Sequence, residues 1–372
     1  MNKFSRPDLD AAVDAAVAAI AAGEMVVVTD DHDRENEGDL VMAASAATPE
    51  KMGFIIRHTC GIVCAPLTAT RARELKLDPM VKDNDAPLGT AFTVSIDFRH
   101  GTTTGISAED RTATVRALAN DNTGPAEFTR PGHIFPLVAR EGGVLLRSGH
   151  TEAAVDLCRL AGAGEVGVIC ELVNDDGSVQ RGPDIAAFAK AHGLVRISVA
   201  ELIAYRQRRE KLVDRVATFS IPTRAGATTA HAYSTPFDKV QHLAMVFGDI
   251  SSGEDVPVRL QREDILTDVF GDRQSLDAAV ETLAGHGRGV LVYLREGTAG
   301  VYGAGEDVRP ESERHQAARK RQDEWREVGL GAQILRDLGV TSIRLLASKS
   351  RRYVGLSGFG ITINETEIFD GD

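Results

Sequence analysis

The chain has 372 residues, a formal net charge of -12 and 43% hydrophobic residues. That length allows two ordinary domains, each with a sizeable core. The negative charge argues against broad binding to DNA or RNA, which needs a basic surface to displace phosphate counterions, but leaves room for a small phosphorylated ligand held by a few arginines.

No apolar run approaches a membrane span. The N-terminus lacks the basic flank, apolar core and cleavage site of a secretory signal, and the stretch from Ala11 to Ala22 is interrupted by Asp14. All four cysteines, Cys60, Cys64, Cys158 and Cys170, lie in the first half without the spacing of a stapled secreted domain. A reducing cytoplasm is the compartment this pattern favours. Cys60 and Cys64 read as buried strand cysteines, because no second pair with ligand-like spacing follows them.

In chain order, the segment from Asp8 to Ala22 carries apolar residues at helical spacing and stops at Gly23, a favoured residue just past a helix end. Strands are predicted at Met25–Thr29, Leu40–Ala44, Gly61–Ala65, Ala91–Ile96, His133–Ala139 and Val166–Leu172. Helices open between them at Thr48-Pro49, Ser107 and Thr151, and Ser107-Ala108-Glu109-Asp110 resembles a capping box. These elements predict a layered α/β domain with a mixed sheet over residues 1–207. The charged helix end from Tyr205 to Lys211 then runs into Val213–Ser220, which places a boundary around residues 207–215.

Beyond it, strands are predicted at Thr229–Tyr233, Leu243–Phe247, Val256–Leu260 and Gly289–Leu294. A helix at Ser275–Gly285, a charged helix from Glu311 to about Glu327 and the stretch Ala332–Leu338 complete a second α/β domain over residues 213–372. It does not repeat the first.

Several segments of the first half could carry chemistry. Asp33-Arg34-Glu35-Asn36-Glu37-Gly38-Asp39 places four acids and an arginine just past a buried strand. Ligand and metal sites in α/β sheets gather beyond strand ends, and hard cations take carboxylate oxygens there; a solvated charged turn is the plainer alternative. Arg147-Ser148-Gly149-His150-Thr151 leads into a helix, where free backbone N–H groups beside an arginine suit a phosphate. His150 is equally suited to ligating a metal or to capping the helix. Glu171 ends an apolar strand, so it is either an exposed strand-end acid or a carboxylate whose burial requires a partner or a raised pKa, as a general base does. His133, in Arg130-Pro131-Gly132-His133-Ile134-Phe135-Pro136, is held between prolines and fits either acid–base work or a satisfied core position. The hydroxyl-rich loop from Gly101 to Ser107 enters a helix and can contact phosphate or sugar oxygens, although ordinary capping explains much of it.

Together these motifs, with Arg57-His58-Thr59-Cys60-Gly61-Ile62-Val63-Cys64 and Thr103-Thr104-Gly105-Ile106-Ser107-Ala108-Glu109-Asp110-Arg111, resemble 3,4-dihydroxy-2-butanone 4-phosphate synthase over about residues 8–206. The resemblance implies a lyase of riboflavin biosynthesis that converts ribulose 5-phosphate into the four-carbon phosphate and formate with Mg²⁺ or Mn²⁺, two ions per site. By motif, Glu35 and His150 would bind metal. Arg34, Glu35, Asp39, Arg147, Ser148, Gly149, His150, Thr151 and Glu171 would contact substrate, and His133 and Glu171 would carry the proton transfers. Ser148 stands where many members have glycine. Family members are homodimers with sites near the subunit contact, so these residues would come from two chains.

Residues from about 213 resemble GTP cyclohydrolase II more loosely, through Ile221-Pro222-Thr223-Arg224-Ala225-Gly226, His242 to Asp249, Asp268-Val269-Phe270-Gly271, Tyr293-Leu294-Arg295, Gly331 to Leu335 and Arg344-Leu345-Leu346. Active members carry three zinc cysteines around the Asp-Val-Phe-Gly segment, whereas here Asp264 stands near the first position and the stretch from Gly271 to Asp277 has lost the others. Glu324 replaces the aspartate partner expected for Arg326, and Ala347 to Ser350 replaces an asparagine-rich nucleotide contact. The expectation is therefore an inactive second domain without zinc, serving as a regulatory or interaction module, with another riboflavin-pathway enzyme as its candidate partner. The alternative is a bifunctional enzyme with GTP cyclohydrolase II activity.

Overall fold

The computed structural model describes residues 6–30, 35–86, 88–224, 226–236, 240–270, 274–295, 329–347 and 360–368. The chain divides into two compact units between Tyr205 and Arg206.

The first unit is built on a mixed seven-stranded sheet in the order β4-β5-β3-β6-β2-β1-β7. Its strands are β1 (Val26–Thr29), β2 (Gly38–Ala43), β3 (Cys64–Leu67), β4 (Ile96–Phe98), β5 (Phe128–Val138), β6 (Gly167–Glu171) and β7 (Val195–Ser198). The central strands read as unbroken apolar runs because both faces are covered. On β2, Leu40 and Met42 join one core with Met52 and Ile55 of α2 (Pro49–His58) and Val115 and Leu118 of α4 (Ala108–Leu118). Val41 and Ala43 join the opposite core, with Val13 and Ile20 of α1 (Arg6–Ala21), Ala154 and Leu157 of α5 (His150–Leu160) and Leu202 of α7 (Val199–Arg209). The result is a helix–sheet–helix sandwich.

Caps set where helices begin. Thr48 accepts the Lys51 N–H and Ser107 accepts the Asp110 N–H, each from the position before its helix. The Asp110 carboxylate does not complete a reciprocal box. It accepts from the Thr103 N–H and hydroxyl and the Gly105 N–H, tying down the hydroxyl-rich loop.

The expected strand at Ala91–Ile96 is mostly isolated bridges, Pro79 with Thr93 and Phe92 with Leu137, and β4 starts only at Ile96. Pro79 and Pro136 lack amide donors, which limits a continuous ladder there. The short helices α3 (Ala69–Glu74) and α6 (Pro183–Ala191), and β7, were not expected. β7 is only four residues long and carries Arg196, so it has little apolar pattern to read.

The second unit holds another mixed sheet, in the order β14-β13-β11-β12-β10-β9-β8. Its strands are β8 (Asp214–Thr223), β9 (Gly226–Ser234), β10 (His242–Phe247), β11 (Val256–Arg262), β12 (Gly289–Leu294), β13 (Ser342–Ala347) and β14 (Thr362–Ile368). Helix α8 (Gln274–Gly285) packs Ala279 and Leu283 onto Phe247, Leu291 and Leu346. Ala332 to Leu338 is largely the helix α9 (Gly331–Asp337), whose buried Gln333 accepts the Leu212 N–H and donates to the carbonyls of Gln207 and Glu210. The charged helix expected from Glu311 lies outside the described residues, as do Glu324, Arg326 and positions 348–350.

Candidate active site

The register of two central strands brings the acids together. β2 and β6 are antiparallel with Asp39 opposite Glu171, so a carboxylate of the acidic motif and the strand-end carboxylate are neighbours although far apart in sequence. Glu35 lies in the turn between β1 and β2. Asp30 holds that turn, its two oxygens accepting the Glu35 and Glu37 N–H groups at 2.9 Å each. Arg34 lies outside the described residues.

Helix α5 aims its N-terminus at the same place. Its apolar face packs on β2 and β6, where Gly167 leaves room for Ala154, and His150 is its first residue. His150 Nδ1 is 3.7 Å from Glu35 Oε2 and 3.8 Å from Asp39 Oδ1. Donor atoms of Asp30, Glu35 and His150 all lie within 4.8 Å of one another, a spacing that could hold a metal ion. Asp30 is a member that sequence reasoning missed; its position at the end of β1, ahead of the acidic run, was the available signal.

The electrostatics also fit a cation. Asp39 is 2% exposed and its Oδ1 has no hydrogen-bond partner among the described residues. Burial, with Glu171, Glu35 and Glu37 nearby, raises its pKa to about 7 against the opposing pull of His150. Burial and the acids Glu35 and Glu171 also raise Glu37. Bare carboxylates crowded this closely repel one another, and a hard divalent ion taking oxygens of Glu35 and its neighbours would relieve the excess charge.

The turn before α5 has a defined scaffold. Arg147 pairs with the buried Glu152 at 2.7 Å and also donates to the Leu88 carbonyl and the Thr90 hydroxyl. A Cβ at Gly149 would sit 2.5 Å from Arg147 Nη1 and 2.9 Å from Glu152 Oε2, so a larger residue there would have to displace the ends of that pair. The amides of His150, Thr151 and Glu152 open α5 without intrahelical acceptors, the geometry that receives an anion. His150 and Thr151 are buried, and Ser148 is half-buried at the edge of this turn.

His133 stands on β5, 41% exposed at its side chain. Asp97 on β4 accepts its backbone N–H at 2.8 Å through Oδ1 and faces its Nδ1 at 2.7 Å through Oδ2. Two contacts from one carboxylate fix the ring, and Gly105 gives the loop passage, because a Cβ there would strike both side chains. Asp97 was not anticipated; an acid closing an apolar run just before a glycine-rich loop was the only clue. Among the described residues no hydrogen bond or ion pair joins His133 to Glu171 or to the Glu35–Asp39–His150 group.

Cys60 corrects another expectation. It is exposed rather than buried in a strand, while Cys64 is buried in β3. The reason is local: after α2 ends, the backbone at Cys60 meets the sheet through the isolated bridge Thr59–Leu172 and the Cys60 N–H to Glu171 carbonyl bond rather than through a continuous ladder.

In the second unit, Asp268 accepts from the Tyr293 hydroxyl at 2.6 Å and from the Asp264 N–H at 2.9 Å, and His242 Nδ1 accepts the Arg295 N–H. Both groups of residues with metal-like spacing among the described residues lie in the first unit.

These features agree with known proteins. The family model for 3,4-dihydroxy-2-butanone 4-phosphate synthase matches residues 14–205. The chain belongs to that synthase family. The model for GTP cyclohydrolase II matches residues 214–367, so the synthase is fused to a second unit of that family.

Similar curated proteins include riboflavin biosynthesis protein RibBA of Salinispora arenicola, 46% identical across 94% of this chain and 87% of its own length. Two Arabidopsis thaliana proteins differ in name. The bifunctional riboflavin biosynthesis protein RIBA 1, chloroplastic, is 47% identical over 94% of this chain and 67% of its own, and the monofunctional RIBA 2, chloroplastic, is 46% identical over 95% and 76%. Among solved structures, RibBX, a two-domain synthase from A. baumannii, aligns with a TM-score of 0.77 at 37% identity, covering 97% of this chain and 99% of its own. A synthase in complex with two magnesium ions aligns at a TM-score of 0.52 and 45% identity, covering 53% of this chain and 97% of its own.

This synthase therefore catalyses the reaction of its family in its first unit, and that unit has the donors for a hard divalent ion. Its second unit does not have the donors for a thiolate-bound zinc, since no cysteine follows Cys170. No described helix is long and apolar enough to cross a membrane.

Proposed function

We propose that residues 1–207 form the lyase domain, converting D-ribulose 5-phosphate to L-3,4-dihydroxy-2-butanone 4-phosphate and formate, and that residues 213–372 form the second domain. The observation that carries this reading is the convergence of Asp39, Glu171, Glu35 and His150 at one end of the sheet beside the α5 N-terminus. The first-turn amides of α5 and the turn Arg147–Thr151 receive the substrate phosphate. Arg34, Asp39 and Glu171 hold its hydroxyls.

Two Mg²⁺ or Mn²⁺ ions, held through Glu35 and His150, would supply charge stabilisation for an enediolate. Glu171 and His133 carry the proton transfers. Asp97 orients the His133 ring and favours the tautomer that leaves Nε2 available. Among the described residues no hydrogen bond or ion pair joins this dyad to the carboxylates, and in a homodimer of the kind the family resemblance implies it would serve the site of a second copy. A reducing compartment such as the cytosol suits the four free thiols; two of the relatives carry chloroplastic names.

For the second unit, the cyclohydrolase family match and the Arabidopsis relative named bifunctional favour GTP cyclohydrolase II activity over a purely regulatory module. The opposite reading, an inactive module that contacts a pathway partner, rests on the missing thiolate donors. Formate is the common co-product, so its release should be assayed separately with ribulose 5-phosphate plus Mg²⁺ and with GTP plus Mg²⁺ and Zn²⁺. Release from the sugar phosphate that vanishes in Glu35→Ala supports the lyase. Release from GTP would establish a second activity and overturn the inactive reading. Release from neither would overturn both.

A further inference from the structure

A group of side chains beside Glu171 has a geometry that proton transfer does not require. Cys60 Sγ lies 3.7 Å from Cys170 Sγ and 2.8 Å from Glu171 Oε2, and the three donor atoms are mutually within 4.8 Å. Tetrahedral zinc, with metal–sulfur bonds of about 2.3 Å, holds two sulfurs about 3.8 Å apart. The pair is thus near the spacing of two thiolates on one soft ion.

Polar groups reach both sulfurs. The Thr59 hydroxyl, which donates to the Ile55 carbonyl at 2.6 Å, lies 3.0 Å from Cys170 Sγ, and the Ile62 N–H donates to Cys60 Sγ at 3.4 Å. Such outer contacts orient metal ligands and stabilise their charge. The Cys60 N–H to Glu171 carbonyl bond, 2.9 Å, pins the two ligand segments together. Cys60 is exposed and Cys170 buried, so the group has an entrance on one side and a fixed floor on the other. Asp39, opposite Glu171 in register, adds negative potential.

We infer that Cys60, Cys170 and Glu171 form a separate site for a soft divalent cation of the Zn²⁺ or Cd²⁺ class, with water in the fourth position. The ion binds as both thiols release their protons to solvent, forming two metal–sulfur bonds and one metal–oxygen bond. Mg²⁺ does not compete, because it prefers an all-oxygen shell and thiolates select soft ions. A soft ion there would occupy the Glu171 carboxylate and inhibit the lyase. That consequence rests on the proton-transfer role proposed for Glu171; the binding does not.

The test is a Cd²⁺ titration of reduced, chelator-treated full-length protein in excess Mg²⁺, following ultraviolet thiolate-to-cadmium charge-transfer absorption. A band saturating at a single equivalent, lost in Cys60→Ser and kept in Cys158→Ser, is expected, with affinity reduced by about tenfold or more in Glu171→Gln. Cys170→Ser should also lose it, and the exposed Cys60 keeps the test readable if that buried variant fails to fold. Absence of the band in the wild type, or its persistence in Cys60→Ser, would overturn the site. A band with undiminished formate release would uphold the site and overturn the role given to Glu171.

Discussion

Asp39 and Glu171 face one another across the β2–β6 pair, and this register contact brings the acidic turn beside the end of β6. The proximity of the two carboxylates, together with burial, also controls how the site responds to pH.

Asp39 is raised from 3.8 to about 7. Between those values the folded, metal-free protein binds more protons than the unfolded chain, so stability is highest toward the acid side of that window and falls as pH rises through it. The expected loss is on the order of 3 kcal/mol. Melting curves in chelator should show a falling Tm over this range, and Mg²⁺ should restore most of it near pH 7. A flat or rising chelator profile would remove the electrostatic account of Asp39.

Asp97→Asn keeps the shape of the partner to His133 but replaces one acceptor with a donor. Since the carboxylate serves both the backbone N–H and Nδ1, the variant should lose kcat by roughly 10² or more with KM little changed. Steady-state kinetics beside a melting curve separate this from unfolding. An unaltered kcat would show that the ring needs no such partner.

Sharing of sites between subunits has a distinctive signature. Glu171→Gln and Asp97→Asn chains, each severely impaired alone, should regain about a quarter of wild-type activity when co-expressed, because random pairing leaves one intact site in each mixed dimer. If co-expression restores nothing, dyad and carboxylates act within one chain.

Gly149→Ala would push a methyl into the Arg147–Glu152 pair, whose acid is 1% exposed. Parting a buried pair and displacing the phosphate turn should cost about 1–3 kcal/mol and raise KM for the sugar phosphate severalfold. Denaturant melts and a KM titration check both; wild-type values in each would show that the turn adapts freely.

Much of this molecule is determined locally. Val26 to Thr29 is a strand because β-branched residues fit a sheet covered on both faces, and Thr48 and Ser107 start helices because their hydroxyls accept a first-turn amide. The motifs from Asp33 to Asp39 and from Arg147 to Thr151 likewise announce, by composition alone, carboxylates beside a phosphate-suited helix start. The sequence also shows that no thiolate follows Cys170.

Non-local facts were not legible. That Asp39 meets Glu171, that Asp97 holds His133 and that Cys60 approaches Cys170 all depend on strand order and register. Those are fixed by burying two apolar faces at once, a condition on the whole sheet that no short window of residues contains.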